Sequence, residues 1–200
     1  MKIIRNLSKL LKDTDLKKEP VVVHVNKFDD DAVKKFNQEM SDAHNTGQKI
    51  IPIVINSPGG HVYSLMSMID TIKSAELPVA TISMGKSMSC GAILLTFGTE
   101  GYRFAAPNST VMIHDVSSGT MGKIEELKTD VKEAERLGNI VFKMMAQNCG
   151  KPDDYFKNLI HEIGHADLYI NAEDAKKHGI VNHIRVPKFI VNVSVDILFE

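Results

Sequence analysis

Cysteine is scarce in this chain, with Cys90 and Cys149 the only two. That is too few for a disulfide framework and suits a reducing compartment, so a cytoplasmic location is expected. No excess of charge of either sign is present: 24 Lys and Arg stand against 25 Asp and Glu, a net charge of −1 with histidine neutral. This excludes both a basic nucleic-acid footprint and an acidic solvating chain, and no nucleic-acid partner is expected. Long apolar runs are missing too. Nothing approaches the ~20 consecutive apolar residues of a membrane-crossing helix, so no membrane partner is expected. The opening MKIIRNLSKLLK begins like a secretory leader, yet Arg5, Asn6 and Lys9 break its apolar run and no small-residue cleavage site follows. Residues 1–20 therefore read as an amphipathic surface segment.

What is present is an ordinary globular balance, 43% hydrophobic and 24% charged, over 200 residues. That length suits one domain with a single sizeable core. Residues 21–25 are a strand candidate. Residues 29–47 have helical spacing, with Asp29 or Asp30 to cap the helix and Gly47 to end it. Residues 50–55 form a nearly continuous apolar run, the mark of a strand buried on both faces. The run stops at the strong turn signal NSPGG, residues 56–60. From His61, the spacing of Val62, Leu65, Met68, Ile69 and Ile72 is a helix face.

Residues 79–83 read as a strand broken by Gly85, followed by a small-residue helix over 89–97. Two short strands, 102–104 and 110–113, flank the turn at Pro107-Asn108. A long helix over 123–147 follows, with Ile124, Leu127, Val131, Ala134, Val141 and Met144 along one side. Residues 172–178 form a short helix stopped by Gly179, and Ile180-Val181 starts a further strand. Strands alternating with helices imply an α/β layer structure with right-handed crossovers. In the tail, residues 186–200, the residues Phe189, Val191, Val193, Val195, Ile197 and Phe199 alternate as a strand does. Such a strand must pair to avoid a sticky edge, within its own sheet or with a neighbouring subunit.

The chemistry centres on Ser89, between a strand and a helix of small residues. A strand-to-helix turn exposes a hydroxyl and offers free helix N–H groups to an oxyanion, although a serine there also serves as a plain helix cap. Gly59-Gly60, at the end of the preceding buried strand, lets the backbone pass close to a substrate and present an N–H; a tight turn would use the same pair. His114 ends the next strand. Histidine is the side chain that accepts a serine proton most readily near neutral pH. Each signal is weak alone, but their order along the chain is specific.

Three blocks carry a resemblance: NSPGG at 56–60, GKSMSCGAILL at 85–95 and PNSTVMIH at 107–114. In order and approximate spacing they resemble the signature blocks of the ClpP family, the proteolytic subunits of Clp proteases. The likeness runs over roughly residues 20–185, through NAEDA at 171–175 and HGIV at 178–181. It implies a ClpP/crotonase-like fold of repeated β-β-α units, with a projecting helical handle over 122–160 in a single domain. It implies a serine endopeptidase acting on peptides or unfolded proteins without a cofactor, inside a chamber of heptameric rings stacked as two through the handles. Position by position, it makes Ser89 the nucleophile, His114 the base and Asp167 the third triad member. The backbone N–H groups of Gly60 and Cys90 fall at the oxyanion hole.

The chain departs from that family pattern in places. Ser87-Met88 replaces an alanine pair. Asp115 stands where the family commonly has Gln, and in an extended segment it points away from the face of His114. His165-Ala166 replaces an acidic–Arg pair whose Arg bridges opposing rings, so that bridge cannot form in the same way. The stretch before Val21 does not resemble the family's axial loop, which leaves a ring-shaped ATPase unfoldase an open partner.

Rival readings rest on less. His161-Glu162-Ile163-Gly164-His165 is a literal H-E-x-x-H, the zinc-peptidase pattern. Gly164 interrupts the helix it needs, the segment after it looks extended, and no third ligand follows at a family spacing, so no metal is expected. Crotonase-like acyl-CoA enzymes share the glycine-lined oxyanion hole without needing a Ser-His-Asp set. A non-proteolytic ClpP-like scaffold predicts a lost triad member, and none is lost. Ser83 to Lys86 spells S-x-x-K, but Ser83 ends a strand and nothing else supports it.

Overall fold

The computed structural model describes residues 19–117, 119 and 121–190. It is a mixed α/β structure built on one mostly parallel sheet. The near-continuous apolar run becomes β2, Ile51–Ser57, with Ile51, Ile53 and Ile55 buried. Apolar residues at successive positions fit a strand covered on both faces, as parallel strands are. β2 pairs in parallel with β1, Val23–Val25, and with β3, Val79–Met88. β3 pairs in turn with β4, Arg103–Ala105, and β4 with β7, His183–Ile184.

Helix α1, Asp30–His44, follows β1 and starts as its sequence dictates: the Asp29 carboxylate accepts from the Ala32 N–H at 2.8 Å. α2, Val62–Lys73, buries Leu65, Met68, Ile69 and Ile72, the face its spacing predicts. α3, Cys90–Leu95, is wholly buried and packs on β2 and β3. Together these helices cover the sheet with the main apolar core.

β3 corrects one expectation. Gly85 does not end the strand but bends it, at φ 83°, and the pairing with β2 shifts register between Ile55 and Ser57. A Cβ at Gly85 would lie 3.0 Å from the Asn56 Oδ1, so the bend brings the two strands close. Before the bend β3 pairs with β4; after it, Lys86–Met88 pairs in parallel with β5, Thr110–Ile113. β5 then pairs antiparallel with β6, Leu168–Asn171, ending at Ile113 opposite Leu168.

Two further expectations shift. Ile180-Val181 does not start a strand: both side chains are core residues, and the strand is β7 just beyond. The long helix, α4 Ile124–Asn148, is present, but only its second half is buried, through Leu137, Val141, Phe142, Met145 and Ala146. Ile124 and Val131, counted on its apolar side, are exposed. α5, Tyr155–Glu162, and α6, Ala172–Lys177, complete the described helices. The amphipathic segment expected over residues 1–20 falls, through residue 18, outside the described residues, as does the expected C-terminal strand from residue 191. Phe189 and Ile190 are described, and both are exposed.

Candidate active site

Ser89 occupies the one-residue junction between β3 and α3, and its backbone is unusual. At φ 54°, ψ −120° it holds a conformation that glycine adopts freely and L-residues avoid. Its N–H donates to the Met112 carbonyl of β5 at 2.8 Å, while its own carbonyl accepts from the Ala92 N–H at 2.9 Å. The junction is therefore fixed from both sides. The Ser89 side chain makes no cap hydrogen bond to the helix. The capping account of this serine is thereby lost, and its hydroxyl lies beside the Cys90 thiol instead.

The glycine pair lies directly against it. A Cβ on Gly59 would stand 2.7 Å from the Ser89 Cβ, closer than such atoms approach. Gly60 has φ 149°, and a Cβ there would meet the Phe28 carbonyl oxygen at 2.3 Å. That same carbonyl accepts from the His61 N–H at 2.8 Å. Neither position admits another residue without moving backbone. The Cys90 thiol donates to the Gly60 carbonyl at 3.2 Å, which ties the glycine turn to the start of α3.

A single cavity is lined by Gly60, Ser89, Cys90 and His114, with Ile113 and Phe142 among its apolar walls. Four of the five residues singled out from the sequence thus come together. Cys90 does not compete as a nucleophile: burial pushes its thiol up to about 11, so it stays protonated at neutral pH.

Asp167 is placed differently. It is exposed and lies outside that lining, one residue before β6. No hydrogen bond joins Ser89, His114 and Asp167 to one another among the described residues. The β5–β6 register nevertheless relates the last two. Its pairs run from Thr110 opposite Asn171 to Ile113 opposite Leu168. The ladder stops there, and His114 and Asp167 are the next residue on each side of its last pair.

Asp115 faces elsewhere, into a second groove shared with Val131, Glu135, Phe142 and His161. There its carboxylate meets the His165 Nδ1 at 2.6 Å. The sequence reading passed over this contact because the two residues are fifty positions apart. It also passed over Phe142 as a cavity wall, although the helical period of α4 puts it beside Val141 on the buried side.

Among the described residues, no helix is long and apolar enough to cross a membrane. Compared with known families, residues 8–188 match the model for Clp proteases.

Proposed function

Because this chain belongs to the Clp protease family, a family of peptidases, we propose that it is a serine endopeptidase using Ser89, His114 and Asp167. The observation that carries the proposal is the strained Ser89 junction opening into a cavity shared with Gly60, Cys90 and His114. Strain at a residue with no capping duty suits a nucleophile held outwards for reaction.

In this reading the His114 imidazole takes the Ser89 hydroxyl proton as Oγ bonds to the substrate carbonyl carbon. The N–H groups of Gly60 and Cys90 hold the oxyanion. The C–N bond then breaks, the amine leaves with the proton from His114, and water hydrolyses the acyl ester by the same route. Asp167 orients the imidazole. Its outward position and the missing hydrogen bonds fit a set that closes only when substrate or a neighbouring subunit arrives, since such contacts commonly tighten in the reacting complex. Substrates are peptides or unfolded proteins, cut inside a chamber of stacked heptameric rings. The exposed first half of α4 is the handle through which the rings would meet, and native mass spectrometry reads that assembly.

The test is labelling with a serine-directed fluorophosphonate, paired with cleavage of a short fluorogenic peptide. Wild type should label and cleave; Ser89→Ala should lose the label and several orders of magnitude in kcat. Cleavage that survives Ser89→Ala but is lost with a chelator and in Glu162→Gln would install the zinc-peptidase reading. Assembled rings that neither label nor cleave would favour the scaffold.

A further inference from the structure

The H-E-x-x-H segment is not a zinc-peptidase helix, yet the fold gathers its histidines. α5 ends at Glu162, and the chain then turns back on itself through Gly164 at φ 72° and His165 at φ 61°. The His165 N–H donates to the Ile160 carbonyl at 3.0 Å and the Gly164 N–H to the His161 carbonyl at 3.0 Å, a left-handed helix stop. This turn folds the His165 ring against that of His161, with centroids 4.3 Å apart and planes 40° from parallel. A third group arrives from the far end of β5: the Asp115 carboxylate, 2.6 Å from the His165 Nδ1. One ligand atom from each of the three lies within 4.8 Å of the others.

We propose that Asp115, His161 and His165 form a binding site for a divalent transition-metal ion, with Zn2+ its natural class of occupant. Two imidazoles and one carboxylate suit zinc, cobalt or nickel, whereas magnesium and calcium take sets of oxygen ligands. Around zinc at bonds of about 2.0–2.1 Å, tetrahedral ligands stand about 3.4 Å from one another. Atoms already within 4.8 Å reach that spacing through modest side-chain rotation. His161 and His165 are exposed and Asp115 half-buried, so nothing packed holds them apart. The solvent side leaves the fourth position to water.

The site uses none of the peptidase residues proposed above as ligands and stands whether or not that reading holds. Its ligands come from two stretches, the loop after β5 and the run from the last turn of α5 into the turn before β6. A bound ion would therefore cross-link the chain just past the last β5–β6 pair, Ile113 opposite Leu168.

The experiment uses the full-length, untagged chain, stripped with a chelator and desalted. Zn2+ is titrated against a chromophoric competitor, and Co2+ is added separately to record its visible bands. Wild type should bind one Zn2+ per chain and give the intense spectrum of tetrahedral cobalt. His161→Gln, Asp115→Asn and His165→Asn should each bind at least about tenfold more weakly. Asparagine is chosen at position 165 because it tolerates positive φ, and circular dichroism checks that each variant is folded. The proposal is overturned if wild type takes up no Zn2+ at micromolar free metal. It is overturned equally if the variants bind as wild type does, which would put the ion on other side chains.

Discussion

Replacing Ser89 by glycine should make the protein more stable while removing its peptidase activity. The perturbation deletes a side chain from a backbone at φ 54°, ψ −120°, the glycine-favouring first central position of a type II′ turn. Holding a residue with a Cβ there costs about 1–3 kcal/mol. Against that relief stands the extra freedom of glycine in the unfolded chain, about 0.5–1 kcal/mol. No capping hydrogen bond from the Ser89 hydroxyl is lost. The difference favours the variant by about 1 kcal/mol, which moves the melting temperature of a domain this size by about 2–4 °C. Ser89→Ala keeps the Cβ, and therefore the strain, and should melt no higher than wild type. The assay is thermal and urea unfolding of all three forms at equal protomer concentration, since assembly raises apparent stability, beside hydrolysis of a fluorogenic peptide. If Ser89→Gly proves no more stable than wild type and Ser89→Ala, the junction is not strained and its backbone says nothing about catalysis.

Two other expectations follow from the same neighbourhood. Gly60→Ala places a methyl 2.3 Å from the Phe28 oxygen, which must push the glycine turn off its position. A fall of about 100-fold or more in kcat is expected if its N–H holds an oxyanion, and near-wild-type turnover by a folded variant would remove Gly60 from that role. At alkaline pH the thiols matter: burial pushes Cys90 up to about 11 and the half-buried Cys149 up to about 12, from 9.0. Above pH 9 the unfolded chain gives up protons that the folded chain keeps, so the thiol contribution is level below pH 9 and stability falls as pH rises towards 11. Urea midpoints at about pH 8 and about pH 10 measure this, and the drop should shrink in Cys90→Ala; an equal drop in both forms would remove the thiol from the explanation.

Much of the fold was legible because its signals are local. Asp29 caps α1 from its own position, and the buried face of α2 follows from spacing alone. The turn glycines were legible for the same reason, although their purpose was not. Positive φ and a 2.7 Å approach to Ser89 are properties of Gly59 in three dimensions. Elsewhere tertiary contacts outweigh local preference. Gly85 looked like a strand end, but partners on either side keep β3 going through its bend. Ile180 and Val181 have strand-like side chains, and the core takes them in without a ladder. Gly164 argues against a continuous helix through the histidine pair. The helix does end, but a left-handed stop reunites the rings by another route. Nothing in a linear text could have joined Asp115 to His165.

The short β5–β6 ladder has a consequence for how loss of function would look. Ser89 is anchored where the sheet meets a wholly buried helix, but His114 and Asp167 hang one step beyond the last rung, and among the described residues β6 has β5 as its sole strand partner. Rungs at the end of a peripheral ladder open with far less free energy than the core does. If His114 and Asp167 act as proposed, competence and foldedness are set by separate equilibria in one chain. Warming or mild denaturant should unzip the His114–Asp167 end first, leaving the helices and their circular dichroism intact. Amide protons of residues 168–171 should exchange well before those of β2, and a preparation that looks native by its ellipticity can already be inactive.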